Sequence, residues 1–212
     1  SFVMYKLILF DFDGTIADTI SVGMPVFNML ARKHGFFEIK DINELRGVTL
    51  NEFFKNHKVS KIKLPFYFKE FLNMLNEKMT EVRLYDGMDN VIKRLNRSYK
   101  LGILSANSKP NIKKFLRLNN LEYCFDFIEN YSMFFGKSKT FNKIMKKKRL
   151  KNNEIIYIGD ELRDIEAAKK PSIDIISVTW GFNNRETLEK RKPTFVAEKP
   201  EDIVSFIEFK KI

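Results

Sequence analysis

Cysteine is nearly absent from the chain of 212 residues, which contains only Cys124. A single cysteine cannot form an internal disulfide, so a buried core must stabilise the fold, and a chain of this length is long enough to build one. Cys124 stands in the largely apolar segment 121–125, which is typical of a small core residue, and we predict no catalytic role for it.

Long hydrophobic runs are absent as well. The apolar runs are only a few residues long, far short of the ~20 residues that cross a bilayer, and the beginning of the sequence lacks the apolar region of a secretory signal. We therefore predict no membrane partner and a cytoplasmic location. Histidine is also scarce. His34 and His57 stand among polar residues, and we predict surface positions for both rather than roles as ligands.

Acidic residues are too few to balance the basic ones, and the net charge is +11. A charge of this size is compatible with binding to nucleic acid or to membranes. The densest basic run, residues 143–151, is interleaved with apolar residues at near-helical spacing, which favours an amphipathic helix with a solvated face. We therefore predict no nucleic acid partner. Basic charge around a pocket would instead attract an anionic phosphate ester.

The most informative stretch is the apolar run at residues 6–10 together with the polar loop that follows it. The run is typical of a strand that is buried on both faces of a parallel sheet. Asp11 and Asp13 come directly after it, and Gly14 allows the backbone to turn sharply. Two carboxylates at the end of a buried strand are costly to desolvate unless a cation or a reaction requires them there.

The segment Asp11–Thr15 has the pattern Asp-x-Asp-Gly-Thr, and through it the sequence resembles the haloacid dehalogenase (HAD) superfamily, whose members are mostly phosphohydrolases. The resemblance implies that Asp11 attacks phosphorus and that Asp13 acts as the general acid and base. It also implies a Mg²⁺ ion between the enzyme and the phosphate. Thr15 is expected among the substrate-binding residues.

The second motif of this family is a lone Ser or Thr at a strand end, and Ser105 matches it after the predicted strand 99–104. A small hydroxyl at this place can donate to a phosphoryl oxygen without crowding it. Many relatives have Asn directly after the hydroxyl, whereas this chain has Ala106 and then Asn107. Asn107 is therefore the candidate side chain for completing the substrate-binding site.

The third motif is a lysine just before a helix, often in a Gly-Lys pair. Lys137 fits this motif best, and Lys139 is its competitor. The resemblance implies a catalytic role for this lysine. An ammonium group here would neutralise the negative charge gathered by the aspartates and the phosphate.

The fourth motif is the most specific. Residues 155–158 predict a buried strand, and Gly159, Asp160 and Asp164 then match the Gly-Asp-x-x-x-Asp form of the family. An acidic helix start explains Asp164 but not an aspartate that directly follows a buried strand and a glycine.

These aspartates suit a metal site, because Mg²⁺ prefers carboxylate and water oxygens in a near-octahedral shell. The resemblance implies that Mg²⁺ is held by the carboxylate of Asp11, the backbone carbonyl of Asp13 and the carboxylate of Asp160. Asp164 is expected to orient the shell of the metal rather than to bind it directly.

The alternation of strands and helices predicts an α/β fold with a Rossmann-like, doubly wound parallel sheet, in which all four motifs fall at the carboxyl ends of strands. Residues 17–82 contain only helical patterns. This insert resembles the helical C1 cap of the superfamily. We therefore expect a catalytic core at residues 1–16 and 83–212 and a cap at residues 17–82.

Within the expected cap, Arg46 and Gly47 resemble a segment that phosphoglycolate phosphatase-like members place over the pocket. Arg46 is therefore a candidate for binding a carboxylate or a phosphate of the substrate by bidentate pairing. An exposed arginine at a helix start is the alternative interpretation.

The resemblance implies a Mg²⁺-dependent phosphomonoester hydrolase that acts through an aspartyl-phosphate on a small phosphorylated metabolite. Asp13 argues against dehalogenation, because dehalogenase relatives lack this acid and a halide needs no proton. A phosphomutase of the beta-phosphoglucomutase kind would share every core motif. A non-catalytic binding protein on the same fold is an alternative from a different class, since a fold alone does not give an activity.

Overall fold

The computed structural model describes residues 4–134 and 136–209, which contain a six-stranded sheet. The strands are β1 (Leu7–Phe10), β2 (Lys100–Ser105), β3 (Phe127–Asn130), β4 (Ile155–Gly159), β5 (Asp174–Val178) and β6 (Phe195–Ala197). They lie in the order β3-β2-β1-β4-β5-β6, and every neighbouring pair is parallel. The predicted α/β fold class is therefore confirmed.

The central strand β1 shows why the sheet is covered on both faces. All four of its residues are buried. Ile8 and Phe10 belong to one apolar cluster, whereas Leu7 and Leu9, which point to the opposite face, belong to another. A strand buried on both faces requires helices on both sides of the sheet, and the core helices supply them.

The core helices alternate with the strands. They are α5 (Met88–Asn96), α6 (Lys109–Leu118), α7 (Lys137–Lys148), α8 (Leu162–Lys169), α9 (Arg185–Glu189) and α10 (Pro200–Phe209). The predicted amphipathic helix in the basic run is confirmed over its first part, because α7 buries Phe141 and Ile144. It ends earlier than the run does, since Arg149 adopts the left-handed conformation with φ of 55°.

Between β1 and β2 the chain forms a helical insert. Its helices are α1 (Thr19–His34), α2 (Asn43–Arg46), α3 (Leu50–Asn56) and α4 (Leu64–Lys78), followed by a 3-10 turn at Met79–Glu81. The insert has an apolar cluster of its own, which includes Leu30, Phe53 and Tyr67. Its entry and exit lie side by side, because the Asp18 N–H donates to the carbonyl of Arg83 at 2.8 Å.

The division into a core and a cap at residues 17 and 82 stays a prediction. Residues 1–3 and 210–212 of the expected core lie outside the described residues. No helix in the part of the chain that the structure describes is long and apolar enough to span a membrane. Cys124 is buried and unpaired, as predicted.

The prediction of a surface position is wrong for His57, whose exposed fraction is only 4%. The ring packs on Phe53, with 4.4 Å between the ring centroids. Its Nδ1 lies 2.8 Å from the carbonyl oxygen of Phe37, and its Nε2 lies 3.1 Å from a carboxylate oxygen of Glu44. The adjacent polar residues concealed this burial, although Phe53, four residues earlier, lies on the same helical face. His34 is half-buried against Tyr67.

Candidate active site

The loop after β1 is wound tightly around one carbonyl group. The backbone N–H groups of Thr15, Ile16 and Ala17 all donate to the carbonyl of Phe12, at 3.0 to 3.3 Å. Gly14 has φ of 74°, in the left-handed region that glycine occupies without strain. The turn sends the ring of Phe12 into the core and leaves Asp11 and Asp13 at the carboxyl edge of the sheet.

Asp160 follows the neighbouring strand β4 and lies between two glycines. A Cβ atom on Gly14 would lie 2.0 Å from the Oδ2 of Asp160, and a Cβ atom on Gly181 would lie 2.4 Å from the same oxygen. The N–H of Phe182 donates to this oxygen at 2.7 Å. The hydroxyl of Thr15 donates to the other carboxylate oxygen at 3.3 Å. Asp160 is therefore fixed by the loops after β1 and β5.

Asp164 occupies a similar niche one helical turn further along the chain. A Cβ atom on Gly159 would lie 2.3 Å from the Oδ2 of Asp164, so that only glycine leaves room for this carboxylate. The same oxygen accepts from the N–H of Glu161 at 3.0 Å, which caps α8. The carboxylate is fully buried.

Lys137 begins α7 and is 7% exposed. Its ammonium forms an ion pair with Asp164 and lies 3.5 Å from the Oδ2 of Asp11. It also lies 4.7 Å from the centroid of the Tyr131 ring, at cation–π distance. Lys139 is exposed on the surface of the same helix. The geometry therefore favours Lys137 over Lys139 as the lysine of the site.

Asp13 is held by three side-chain donors. The hydroxyl of Thr19 donates to its Oδ1 at 2.7 Å, and the amide of Asn107 donates to the same oxygen at 2.9 Å. The hydroxyl of Ser105 donates to its Oδ2 at 3.3 Å. The amide of Asn130 donates to the carbonyls of Ser105 and Asn107 and so fixes the loop after β2.

Burial governs the electrostatics of this site. It raises the pKa of Asp11 to about 8, although the Lys137 ammonium counteracts the shift. Burial also raises the pKa of Asp13, against the hydrogen bonds from Thr19, Asn107 and Ser105, and it raises the pKa of Asp160 well above its usual range. For Lys137 burial acts in the opposite direction, but the carboxylates of Asp11 and Asp164 outweigh it and raise its pKa.

The acidic groups form a compact cluster. Asp11, Asp160, Glu161 and Asp164 are all buried, and each offers an oxygen that lies within 4.8 Å of those of the others. Lys137 compensates only part of their charge. A buried set of hard oxygen donors with excess negative charge fits a small divalent cation such as Mg²⁺, and the cluster is consistent with a metal site.

A cavity of about 210 Å³ opens onto these carboxylates from the side of the helical insert. At the sheet its lining includes Asp11, Asp13, Asn107, Asp160 and Glu161. At the insert its lining is apolar and comes largely from α1 and α4. The cavity therefore joins the carboxylates at the edge of the sheet to an apolar space beneath the helical insert.

The predicted site residues fall into two groups. Ser105 and Asn107 donate to Asp13, and Lys137 pairs with Asp11 and Asp164. Asp160 accepts from Thr15 and belongs with Asp11 and Asp164 to the acidic cluster. Arg46 is the exception, because its guanidinium bonds to a loop carbonyl rather than to one of these side chains, and it does not line the cavity. Its guanidinium donates to the carbonyl of Gly181 at a long 3.4 Å, and its role in binding substrate stays a prediction.

Sequence reasoning missed four residues of the site. Glu161 joins the acidic cluster, and Arg163 lines the cavity and donates to the Oε2 of Glu161 at 2.8 Å. Thr19 binds Asp13, and Asn111 donates to the side chain of Asn107 at 2.9 Å. Only Asn111 had a usable signal, since it follows Asn107 by four residues across a predicted helix start.

The sequence profile of the haloacid dehalogenase-like hydrolases matches residues 8–178, which is most of the chain, and the chain belongs to this family. It is a hydrolase of the HAD type, and the relatives that it matches include phosphoglycolate phosphatase and the pyrophosphatase PpaX. The predicted family is therefore confirmed.

Individual relatives are distant but match over almost their whole length. The chain is 28% identical over 205 residues to a phosphoglycolate phosphatase of Synechococcus elongatus, covering 95% of this chain and 97% of the relative. It is 26% identical over 209 residues to the pyrophosphatase PpaX of Listeria monocytogenes, covering 94% and 95%. A crystal structure of a predicted phosphatase from Clostridium acetobutylicum matches with a TM-score of 0.84 at 22% identity, over 97% of this chain and 99% of that one, and supports the fold.

Proposed function

We propose that the protein is a Mg²⁺-dependent hydrolase of small phosphomonoesters that acts through an aspartyl-phosphate on Asp11. One observation carries the proposal. Asp11 is paired with Lys137, while Asp13, two residues further on, is held by three donors, and both carboxylates line the same cavity. A nucleophile and a proton donor are thereby fixed beside one another.

The reaction has two steps. The Asp11 carboxylate attacks phosphorus, the bond from phosphorus to the ester oxygen breaks, and Asp13 gives its proton to the departing alcohol. Asp13 then takes a proton from a water molecule, which attacks phosphorus and frees Asp11 and inorganic phosphate. The raised pKa of Asp13 suits the first step, because the carboxyl must carry a proton when the alcohol leaves.

The carboxylates of Asp11 and Asp160 and the backbone carbonyl of Asp13 would hold Mg²⁺, with Asp164 orienting the shell. The bound ion would neutralise charge on the phosphoryl oxygens. Lys137 would hold Asp11 and Asp164 in place and offset the charge of the acidic cluster. Ser105 and Asn107 would bind the phosphoryl oxygens in addition to fixing Asp13. Residues 17–82 would act as the cap that excludes water from the reaction.

The names of the relatives suggest two substrates, phosphoglycolate and inorganic pyrophosphate. Each has a second anionic group beyond the phosphoryl group that is transferred. The phosphomutase and the non-catalytic binding protein are alternatives that share the core residues. A small phosphorylated metabolite fits the size of the cavity better than a nucleic acid does.

Release of phosphate from p-nitrophenyl phosphate tests the proposal, with Mg²⁺ and with excess EDTA. We expect hydrolysis that requires Mg²⁺ and a phosphorylated Asp11 that can be trapped by rapid acid quench and identified by mass spectrometry. A binding protein would release no phosphate. A phosphomutase would transfer the phosphoryl group to a second sugar phosphate faster than to water.

A further inference from the structure

The end of the cavity formed by the helical insert is apolar. Ile20 and Met24 line it from α1, and Phe68, Phe71 and Leu72 line it from α4. Among the cavity-lining residues of the insert, all of which the structure describes, none carries a charge. Two residues with hydroxyl groups also lie there: Thr19 is already bonded to Asp13, and Tyr67 packs its ring against His34 and Phe36.

Two cations lie near the sheet end of the cavity, Arg163 in its lining and Lys137 beside Asp11, and both are paired with acceptors, whereas Arg46 lies outside the lining and donates to the carbonyl of Gly181. Lys137 is bound between Asp11 and Asp164. The guanidinium of Arg163 donates to Glu161 at 2.8 Å and to the carbonyl of Met133 at 3.0 Å. Neither cation therefore offers an uncompensated charge to a second anionic group of a substrate.

These features determine which alcohol the cavity favours. A carboxylate or second phosphate on the leaving group would lie among aromatic and aliphatic side chains, close to the acidic cluster, and would lose its hydration without gaining a partner. An uncharged apolar group would instead gain from the burial of its surface. A volume of about 210 Å³ is below the range of roughly 300 to 1,000 Å³ for drug-sized ligands, so the group must be small.

We propose that the preferred substrate is the phosphomonoester of a small, uncharged, apolar alcohol, whose hydrocarbon part lies against Met24 and Phe71. This inference rests on the proposed function and narrows its substrate class. It disfavours phosphoglycolate and inorganic pyrophosphate, because each would place an unpaired anion in the apolar part of the cavity.

A pair of nearly isosteric esters tests the inference on the wild-type enzyme. Isobutyl phosphate replaces the carboxylate of phosphoglycolate with an uncharged isopropyl group of similar shape. With Mg²⁺ present, we expect kcat/KM for isobutyl phosphate to exceed that for phosphoglycolate and for inorganic pyrophosphate at least tenfold. A value for either anionic substrate that equals or exceeds that for isobutyl phosphate overturns the inference.

Two matched substitutions on α1 test where the alcohol binds. Met24→Lys places an ammonium in the apolar part of the cavity, whereas Met29→Lys makes the same change at a residue that is 45% exposed and does not line it. We expect Met24→Lys to shift the ratio of the two kcat/KM values toward phosphoglycolate at least tenfold, and Met29→Lys to keep the wild-type ratio. Circular dichroism establishes that each variant is folded. An unchanged ratio in folded Met24→Lys contradicts the assigned position of the alcohol.

Failure of the inference and failure of the proposed function give different results. If p-nitrophenyl phosphate is hydrolysed but the anionic esters are preferred, the enzyme is a phosphatase and only the inference is wrong. If no ester releases phosphate with Mg²⁺, the proposed function is wrong, and the inference is overturned with it. If Met24→Lys does not fold, the comparison of esters on the wild type decides alone.

Discussion

The side-chain amide of Asn111 donates to the side-chain oxygen of Asn107 at 2.9 Å, and Asn107 in turn donates to Asp13. Asn111 also accepts from the amide of Asn76 on α4, at 2.6 Å. A line of three amides thus runs from the helical insert to the proposed general acid. Both Asn107 and Asn111 are 1% exposed, so neither amide can exchange its partner for bulk water without rearrangement.

We expect Asn111→Ala to lower kcat about tenfold, in line with the roughly 1 to 1.5 kcal/mol of one buried hydrogen bond. Loss of Asn111 frees Asn107 to turn away from Asp13, and a carboxylate that loses a donor has a higher pKa. The basic limb of the pH profile of kcat/KM should therefore move to higher pH. Asn73→Ala, on the exposed side of α4, is the control. If kcat falls but the basic limb of the pH profile of kcat/KM does not shift, Asn111 only supports the fold.

Lys137→Met and Lys139→Met separate the two candidate lysines. Lys137→Met leaves the buried carboxylates of Asp11 and Asp164 without their cation, which costs about 3 to 5 kcal/mol when a buried pair is broken. We expect a lower Tm without metal and a loss of turnover. Lys139 is exposed, and its substitution should change the free energy of unfolding by about 0.5 kcal/mol or less. Thermal denaturation and phosphate release measure both effects, and equal behaviour of the two variants would contradict the assignment.

Asp11→Asn should abolish turnover and preserve the fold. The amide keeps the shape of the carboxylate but is a far weaker nucleophile, and no aspartyl-phosphate should form. Burial destabilises the ionised form of Asp11, and asparagine carries no charge. The variant should therefore also be more stable than the wild type in EDTA at about pH 8. The measurements are phosphate release and Tm. Turnover above a trace in a preparation free of wild-type enzyme would remove Asp11 from the role of nucleophile.

The metal-free protein should become less stable as pH rises from about 4 to about 8. The pKa of Asp11 is raised from 3.8 to about 8, so in this window the native state holds a proton that the unfolded chain has lost. Stability is then lost as pH rises through the window. Asp13 and Asp160 act in the same direction. Tm in EDTA should fall with pH, Asp11→Asn should weaken the slope, and added Mg²⁺ should raise Tm more at the upper end of the window.

Arg46→Ala tests the residue for which the sequence predicts substrate binding but whose guanidinium contacts a loop carbonyl in the structure. The sequence predicts a loss of roughly 1.5 to 3 kcal/mol in kcat/KM that is confined to substrates with a second anionic group. The guanidinium contacts Gly181 instead of the cavity, so we expect equal and smaller losses, about 0.5 to 1.5 kcal/mol, for phosphoglycolate and methyl phosphate. A loss on phosphoglycolate alone would support Arg46 as an anion-binding residue and would weigh against an apolar alcohol.

The carboxyl edge of the sheet could be predicted from the sequence because parallel strands bring their ends together. Asp11 and Asp160 follow β1 and β4, and Ser105 ends β2, and these three strands are neighbours in the sheet. Apolar runs that end in Asp, Ser or Gly-Asp therefore sufficed to assemble these residues, without any knowledge of the helices.

The side chains that come from helices could not be predicted in the same way. Thr19 reaches Asp13 because of how α1 leaves the loop, and Asn111 reaches Asn107 because of how α6 starts. Arg46 and His57 are determined by packing within the insert, where polar neighbours in the sequence say little about the tertiary surroundings. The apolar lining of the cavity likewise depends on which faces of α1 and α4 turn inward.

The two glycines that enclose Asp160 have a consequence for how the protein tolerates variation. Neither Gly14 nor Gly181 has a side chain that could react, yet any larger residue at either position would displace the same carboxylate oxygen. In a saturation mutagenesis survey that is scored by activity, both positions should accept nothing but glycine, as a catalytic residue accepts nothing but itself. The set of tolerated residues alone would therefore not distinguish a residue that takes part in the reaction from a glycine that only leaves room for the carboxylate of Asp160.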